Sequence, residues 1–327
     1  MAELKTGTVT EWKKLSPCLA TFCLKSQGGS RFPDYQAGQY IALRRERCRL
    51  TKQVVDPHGR RRYAPDLDVS GNPKIGSVTH SYSIASAPFE SRERLEFYVV
   101  LEQDEDGRPG RLSGSLFEID LPADAGVTYV NRITGNFTLA RLADGFDSVL
   151  LIGTGTGLAP FVSMIKQLHF EARQGRGPNR RRYTLIHTNR TYQELAYHSE
   201  LLAIEASHDF DFVYIPSVSR PSARDCADPD LGRGRANNLL RHVFGMPLEE
   251  EQRLQAILAS GGDASRARAG LERTTPPVLP RRLSTGELRQ RLDPSRTVIL
   301  ACGNPSSMAD IQYVAAANHI RFEKEDW

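Results

Sequence analysis

The sequence predicts an α+β protein of two domains, an N-terminal antiparallel β-barrel followed by a C-terminal α/β domain on a parallel sheet. Three observations carry this. The chain has 327 residues, and at roughly 100–200 residues per domain two domains is the natural division. Its first half reads as short strands punctuated by Gly, Pro and Asp, the mark of a small antiparallel barrel. Its second half alternates short apolar strands with helical segments, which implies a parallel sheet with crossover helices. The texture changes near Asp144-Gly145, which sets the domains at residues 1–143 and 144–327.

In the first half, Thr6 to Leu24 carries two β-type stretches broken at Ser16-Pro17. Gly38 to Leu43, Ser81 to Ala85 and Leu95 to Leu101 are further strand candidates, the last rich in Tyr and Val. The polar stretch between Leu43 and His80, with Pro57-His58-Gly59 and Gly71-Asn72-Pro73, is expected to be an extended loop or hairpin excursion. It marks an insertion at about 44–78.

The second half opens with Ser148-Val149-Leu150-Leu151-Ile152, a continuous apolar run expected of a strand buried on both faces. A Gly-rich turn follows, and Pro160 opens a helical pattern with Phe161, Ile165 and Leu168 on one face. Tyr183 to His187, Phe210 to Ile215 and Thr297 to Ala301 are the next strands, with a helix expected from Tyr192 to about Ser207. Residues 249–296 read as a second insertion. Within it Gly261 to Pro280 lacks periodicity and is expected to be an irregular surface segment, while Ser284-Thr285-Gly286-Glu287 matches a capping box.

Composition narrows the function classes. The net charge of +4 argues against a nucleic-acid binder, and no apolar run approaches the ~18 residues of a membrane span. Met1 to Lys5 lacks the pattern of a signal peptide, and five scattered cysteines, Cys18, Cys23, Cys48, Cys226 and Cys302, point to reduced thiols in a cytoplasmic protein. Cys18 and Cys23 have the C-x₄-C spacing that begins a plant-type [2Fe–2S] pattern, but the following C-x₂-C is missing, so no metal is expected. Arginines cluster at Arg44, Arg45, Arg47 and Arg49 with Lys52, at Arg60-Arg61-Arg62, and at Arg180-Arg181-Arg182. Each run reads as solvated loop or as a docking face for an acidic partner.

Four stretches carry chemistry. Gly153-Thr154-Gly155-Thr156-Gly157-Leu158-Ala159-Pro160 follows a buried strand and opens a helix. Glycines allow close approach of a pyrophosphate, and a helix N-terminus presents free N–H groups. The spacing is neither that of an ordinary dinucleotide-binding fingerprint nor that of a P-loop. His80-Ser81-Tyr82-Ser83-Ile84-Ala85-Ser86 offers an aromatic ring and hydroxyls of the kind a flavin needs, and alone would be plain sheet. Gly110-Arg111-Leu112-Ser113-Gly114-Ser115-Leu116 supplies small residues with N–H and hydroxyl donors for a diphosphate. Cys302-Gly303-Asn304-Pro305 ends an apolar strand, where it is either a small buried Cys before a turn or a lining of the ligand crevice.

In this order the four stretches resemble the ferredoxin–NADP⁺ reductase superfamily, and within it the bacterial ferredoxin/flavodoxin–NADP⁺ reductases. The resemblance runs from about Gly7 to Trp327 and weakens across 44–78 and 249–296. It implies an FAD-binding barrel and an NADP-binding α/β domain. It also implies electron transfer between NADPH and a one-electron carrier, an acidic ferredoxin or flavodoxin, through FAD. By the same resemblance Tyr82 would stack on the flavin and Ser83 would sit near its N5. His80 stands where the family usually has Arg against the FAD diphosphate. A histidine is shorter and mostly neutral at pH 7, a departure that bears on that contact. Gly110, Leu112 and Ser113 match the second FAD-phosphate stretch. Gly153, Thr154, Gly155, Thr156 and Gly157 match the NADP pyrophosphate loop, and Cys302 and Gly303 the nicotinamide-side motif. Ser83 and Cys302 are thus the catalytic candidates. Ser219, Arg220 and Arg235, with Arg190, resemble the positions that reach the ribose 2′-phosphate, where a guanidinium fork favours NADP over NAD. Trp327 resembles a terminal aromatic that packs on the FAD, against either its isoalloxazine or its adenine. Two other readings remain: a reductase component serving an oxygenase chain, and a non-catalytic FAD-binding regulatory subunit.

Overall fold

The computed structural model describes residues 3–55, 61–90, 92–104, 106–177 and 181–325. The chain divides into two compact units, Met1–Gly135 and Asn136–Trp327.

The first unit is one antiparallel sheet. Its strands are β1 (Leu4–Ser16), β2 (Leu19–Ser26), β3 (Tyr40–Arg49), β6 (Ile75–Ser83), β7 (Arg94–Val100) and β8 (Gly126–Thr134), in the order β6-β3-β8-β1-β2-β7. A separate two-stranded hairpin, β4 (Thr51–Val55) and β5 (Arg61–Pro65), leaves the sheet between β3 and β6. Just past β6, Ala85 N donates to Glu96 O of β7 at 2.8 Å, so the two edges of the sheet meet and it curls into the expected barrel. Alternation fills its interior: Phe22, Leu24, Ile41, Leu43, Leu95, Phe97, Val127 and Tyr129 are fully buried in one cluster. Helix α1 (Arg111–Phe117) adds Leu112 and Leu116 to that cluster.

The polar stretch after Leu43 is more regular than expected. β3 continues through Arg49, the hairpin follows, and β6 begins at Ile75. Charge at the outward positions hides the strand alternation, because Arg44 and Glu46 pair on the surface while Arg45 and Cys48 turn inward.

The second unit opens with the short α2 (Leu139–Leu142). Its sheet contains β9 (Ser148–Thr154), β10 (Arg182–Asn189), β11 (Phe212–Val218), β12 (Gly232–Arg233), β13 (Thr297–Cys302) and β14 (Arg321–Lys324), in the order β12-β11-β10-β9-β13-β14. Every ladder in it is parallel. Helices connect the strands: α3 (Ala159–Arg173), α4 (His198–Ser207), α5 (Ala223–Ala227), α6 (Ala236–Phe244), α7 (Glu249–Ala259), α8 (Ser265–Glu272), α9 (Thr285–Arg291) and α10 (Pro305–Ala317). β9 and β13 are buried along almost their whole length, as strands covered on both faces must be. Leu239 and Leu240 of α6, Leu288 of α9 and Ile311 of α10 close one face over Leu150, Ile152, Ile186 and Ile299. Inside that layer the Arg241 guanidinium is bound by Asp310 (Nε to Oδ2, 2.8 Å), and both side chains are almost fully buried.

Two expectations are corrected. The helix expected from Tyr192 begins at His198, because Tyr192–Glu194 forms a separate 3₁₀ turn and Tyr197 adopts a positive φ of 60°. The segment 261–280 is not irregular throughout. α8 occupies Ser265–Glu272, where the alternating Arg and Ala residues are good helix formers with no buried face to give periodicity. Beyond α8, Val278 pairs with Arg233 and extends the sheet edge. The capping box at Ser284 is present, with Ser284 Oγ accepting from Glu287 N at 3.2 Å.

Candidate functional site

In the α/β unit the candidate residues converge on one edge of the sheet. Its strands are parallel, so every strand ends there. The strand order also reverses there: β9 is followed outward by β10, β11 and β12 on one side and by β13 and β14 on the other. The carboxyl ends of strands at such a reversal form the usual ligand crevice of an open α/β sheet. Register sets Gly153 of β9 beside Cys302 of β13. The two following loops lock together, with Asn304 N donating to Thr154 Oγ1 at 2.9 Å. Gly303 holds a φ of +135°, and its missing Cβ would collide with Thr154 Oγ1. A Cβ on Gly157 would overlap the Cys302 carbonyl and Gly303 N. The turn 153–157 and the turn 302–304 are therefore one tightly fitted backbone surface that admits no side chains at those two glycines.

Helix α3 starts directly after this turn, with Pro160 in its first turn and no side chain capping its N-terminus. Gly155–Leu158 forms a 3₁₀ turn that runs directly into α3, with Ala159 N donating to Thr156 O, so the positive end of this helical run lies at the glycines. The Cys302 side chain turns inward. It is fully buried, and its thiol donates to Glu325 Oε2 at 3.9 Å.

Three arginines stand further along the same edge. Arg190 follows β10, Ser219 and Arg220 follow β11, and Arg235 follows β12. Backbone bonds hold these ends together: Arg220 N donates to Arg190 O at 2.8 Å, Ser219 N to Asn189 O at 2.9 Å, and Gly234 N to Val218 O at 3.0 Å. Gly234 has a φ of +106° and passes close to Pro277. Thr275 Oγ1 donates to Ser219 O at 2.7 Å, so the second insertion folds back onto this edge. Arg190, Arg220 and Arg235 are all exposed. Arg235 also pairs with Glu250.

In the barrel the candidates lie on β6 and around the start of α1. Tyr82 packs against the barrel core while keeping part of its surface open, and burial with the nearby Glu102 charge holds its phenol neutral well above the usual range. Ser83, directly after it, is buried. His80 is half-buried, opposite Leu43 of β3 and on the same face as Tyr82 two residues away. Gly110 caps α1 without a side chain, and a Cβ there would lie 2.7 Å from Ser113 Oγ and 3.0 Å from Glu102 Oε2. Leu112 is part of the core. Ser113 Oγ accepts from Glu102 N at 3.2 Å.

The arginine runs separate. Arg45 is a structural residue, not a docking charge. It is 7% exposed, and its guanidinium grips Asp124 (2.7 Å), Ser115 Oγ (3.1 Å) and the Gly126 carbonyl. Arg181 donates to Phe146 O at 2.9 Å. Trp327, Arg60 and Arg180 lie outside the described residues, as do the side chains of Arg61 and Arg62.

Two features escape sequence reasoning. His187, fully buried on β10, shares the Tyr214 hydroxyl with His198 at 3.0 and 3.2 Å. Burial, helped by His198, lowers its pKa to about 3. Glu250 is the other. The run Glu249-Glu250-Glu251 is a helix-start signal that would have located α7, but nothing in the sequence links it to Arg235. Among the described residues no cluster fit to hold a metal ion occurs, and no helix is long and apolar enough to cross a membrane.

Comparison with known proteins agrees with this geometry. Residues 151–254 match the oxidoreductase NAD-binding domain family. Ferredoxin–NADP reductase A of Sorangium cellulosum is 34% identical over 161 residues, 47% of this chain and 51% of that protein. Ferredoxin–NADP reductase of Pseudomonas aeruginosa is 28% identical over 182 residues, 54% of this chain and 60% of that protein. The chain thus spans between about half and three fifths of the length of these curated relatives. Among solved structures, a ferredoxin NADP⁺ reductase from Neisseria gonorrhoeae with bound FAD and NADP superposes with a TM-score of 0.57, covering 99% of both chains at 18% identity.

Proposed function

We propose that this chain, which is similar to bacterial ferredoxin–NADP reductases over about half its length, is an FAD-dependent oxidoreductase of that superfamily that takes electrons from NADPH and delivers them singly to a small acidic carrier, a ferredoxin or a flavodoxin. The observation that carries this reading is the shared edge of the parallel sheet. There the fitted turns 153–157 and 302–304 lie at the strand reversal, and Arg190, Arg220 and Arg235 follow three successive strands.

The residues present fit both nucleotides. In the α/β unit the bare backbone of Gly153 to Gly157 and the start of α3 would receive the NADPH pyrophosphate. Arg190, Ser219, Arg220 and Arg235 would hold the 2′-phosphate, which NADH lacks. Cys302 is closed off as a side chain, so it would act through the backbone that it and Gly303 present beside Thr154, bounding the nicotinamide side. In the barrel the open part of Tyr82, backed by the core, is a platform for a planar ring. Ser83 would sit near the flavin N5. Gly110, Leu112 and Ser113 would flank the diphosphate, with His80 in place of a cation. FAD, when bound, supplies the step between two-electron and one-electron transfer. The proposed extents are 1–143 for the FAD-binding part and 144–327 for the NADP-binding part.

The test is an absorbance spectrum of the purified protein followed by anaerobic addition of coenzyme. A flavin spectrum that bleaches with NADPH, and much less readily with NADH, is expected. Arg220→Ala should raise the NADPH requirement about tenfold or more while leaving the NADH response in place, since a charge-assisted phosphate contact is worth roughly 1.5–3 kcal/mol. A colourless protein that cannot be loaded with FAD would end this reading.

A further inference from the structure

Arg235 differs from the other two arginines of the sheet edge. Among the described residues Arg190 and Arg220 form no ion pair, whereas Arg235 Nη1 donates to Glu250 Oε1 at 3.2 Å. Glu250 belongs to the first turn of α7, inside the second insertion. Its carboxylate is fixed in place. Oε2 accepts from Asn238 Nδ2 at 2.8 Å, and the Asn238 side chain is fully buried. The same turn is fastened twice more to α6: Glu249 N donates to Asn238 Oδ1 at 3.0 Å, and Asn237 Nδ2 donates to Glu249 Oε2 at 2.7 Å. The Glu250 side chain is 14% exposed, while that of Arg235 is 59% exposed and reaches outward. The anchored partner is therefore the acid, and the guanidinium comes to it.

A carboxylate and a phosphate are rival anions for one guanidinium fork. We propose that Glu250 is a built-in competitor for the ribose 2′-phosphate on Arg235, so that the insertion carrying α7 sets how strongly the protein prefers NADPH over NADH. This rests on the reading of Arg190, Arg220 and Arg235 as the 2′-phosphate site. A phosphorylated coenzyme must draw Arg235 away from Glu250 or share it at a cost in like-charge repulsion. The unphosphorylated coenzyme meets neither penalty. Glu250 thereby lowers selectivity by acting on one coenzyme only.

The experiment measures binding of 2′,5′-ADP and 5′-AMP by calorimetry to the full chain, as wild type, Glu250→Gln, Glu250→Asp and Arg235→Ala. Glutamine keeps an acceptor for Asn238 and removes the charge. The expected result is about tenfold tighter 2′,5′-ADP in Glu250→Gln, the scale of removing one charge a few ångströms from a dianion in water-like surroundings, with the 5′-AMP affinity moving far less. Glu250→Asp, which keeps the charge on a shorter arm, should fall between Glu250→Gln and wild type. It gives an independent answer if the glutamine variant does not fold. Arg235→Ala should remove most of the advantage of 2′,5′-ADP over 5′-AMP. Unchanged or weaker 2′,5′-ADP binding in the Glu250 variants, with wild type still preferring it to 5′-AMP, would overturn the competitor role and leave the coenzyme reading intact. Equal binding of the two nucleotides by wild type and Arg235→Ala alike would overturn both.

Discussion

The barrel and the α/β unit gather their candidate residues by different means, and the difference decides what a sequence can reveal. In the α/β unit all strands point one way, so the residue after each strand is delivered to the same edge. Position relative to a strand end is then enough to group Gly153, Arg190, Arg220, Arg235 and Gly303. In the barrel successive strands run in opposite directions, and neighbours are made by cross-strand register. Tyr82 and His80 come together through β6, while Gly110 and Ser113 sit on a separate turn and helix. Arginine shows the contrast best. Arg220 stays exposed at a strand end, while Arg45 sits inside a strand and becomes a core clamp on Asp124.

The two units should answer perturbation unequally, and the largest effect belongs to their ion pairs. Asp310→Ala takes the carboxylate from the Arg241 guanidinium in a nearly dry layer and leaves it the neutral oxygens of Pro247 and Gln252, and breaking such a buried pair costs about 3–5 kcal/mol. Asp124→Ala removes a partner that is itself 55% exposed and leaves Arg45 its bonds to Ser115 and Gly126, so about 1 kcal/mol is expected. Denaturant midpoints of the two variants, with hydrogen exchange assigning the loss to one unit, check this. Equal losses would erase the distinction.

Backbone fit is the next contrast. Gly157→Ala forces a Cβ into the Cys302–Gly303 backbone and should cost about 2–3 kcal/mol, as overpacking does, while abolishing saturable NADPH binding. Gly126→Ala in the barrel meets no atom within 4 Å, and its melting temperature should stay near that of wild type.

Acid sharpens the same comparison with a smaller effect. Buried His187 has its folded pKa lowered to about 3 by burial and by His198. Above the ordinary histidine value of ~6.5 both folded and unfolded forms are neutral and nothing is lost. As pH falls below that, the unfolded chain takes up a proton that the folded one refuses, so stability drops by about 2 kcal/mol at pH 5. The barrel's Asp124 has its pKa lowered by hydrogen bonding to Arg45, and its contribution survives until pH falls through the depressed carboxylate value. Hydrogen exchange at pH 5 should therefore rise first in the α/β unit, and His187→Phe should flatten that response. Loss beginning in the barrel would contradict the assignment.

These asymmetries also explain what was legible. The apolar run 148–152, the glycine turn and Pro160 state a buried strand and the helix after it almost without ambiguity, because both faces of β9 need oil and α3 needs a start. β3 past Leu43 was hidden because its outward side chains are charged. α8 was hidden because it buries little. The Arg235–Glu250 pair joins the residue just before α6 to the first turn of α7, and the His187–Tyr214–His198 cluster joins two strands and a helix. Only the folded packing brings such partners together, and no local pattern records it.

The long excursion between Phe244 and Thr297 has one more consequence. Its two ends are fixed by α6 and β13, elements the parallel sheet needs in any case. Closing a flexible loop costs only about 0.6 kcal/mol more for each doubling of its length. Extra chain can therefore be acquired around α7 and α8, which bury no residue, with the sheet beneath unaltered, whereas α9, with Leu288 in the core, belongs to the framework. The stretch carrying α7 and α8 is a place where descent can experiment: what hangs there can be lengthened, trimmed or replaced, and the inherited framework registers little of the change.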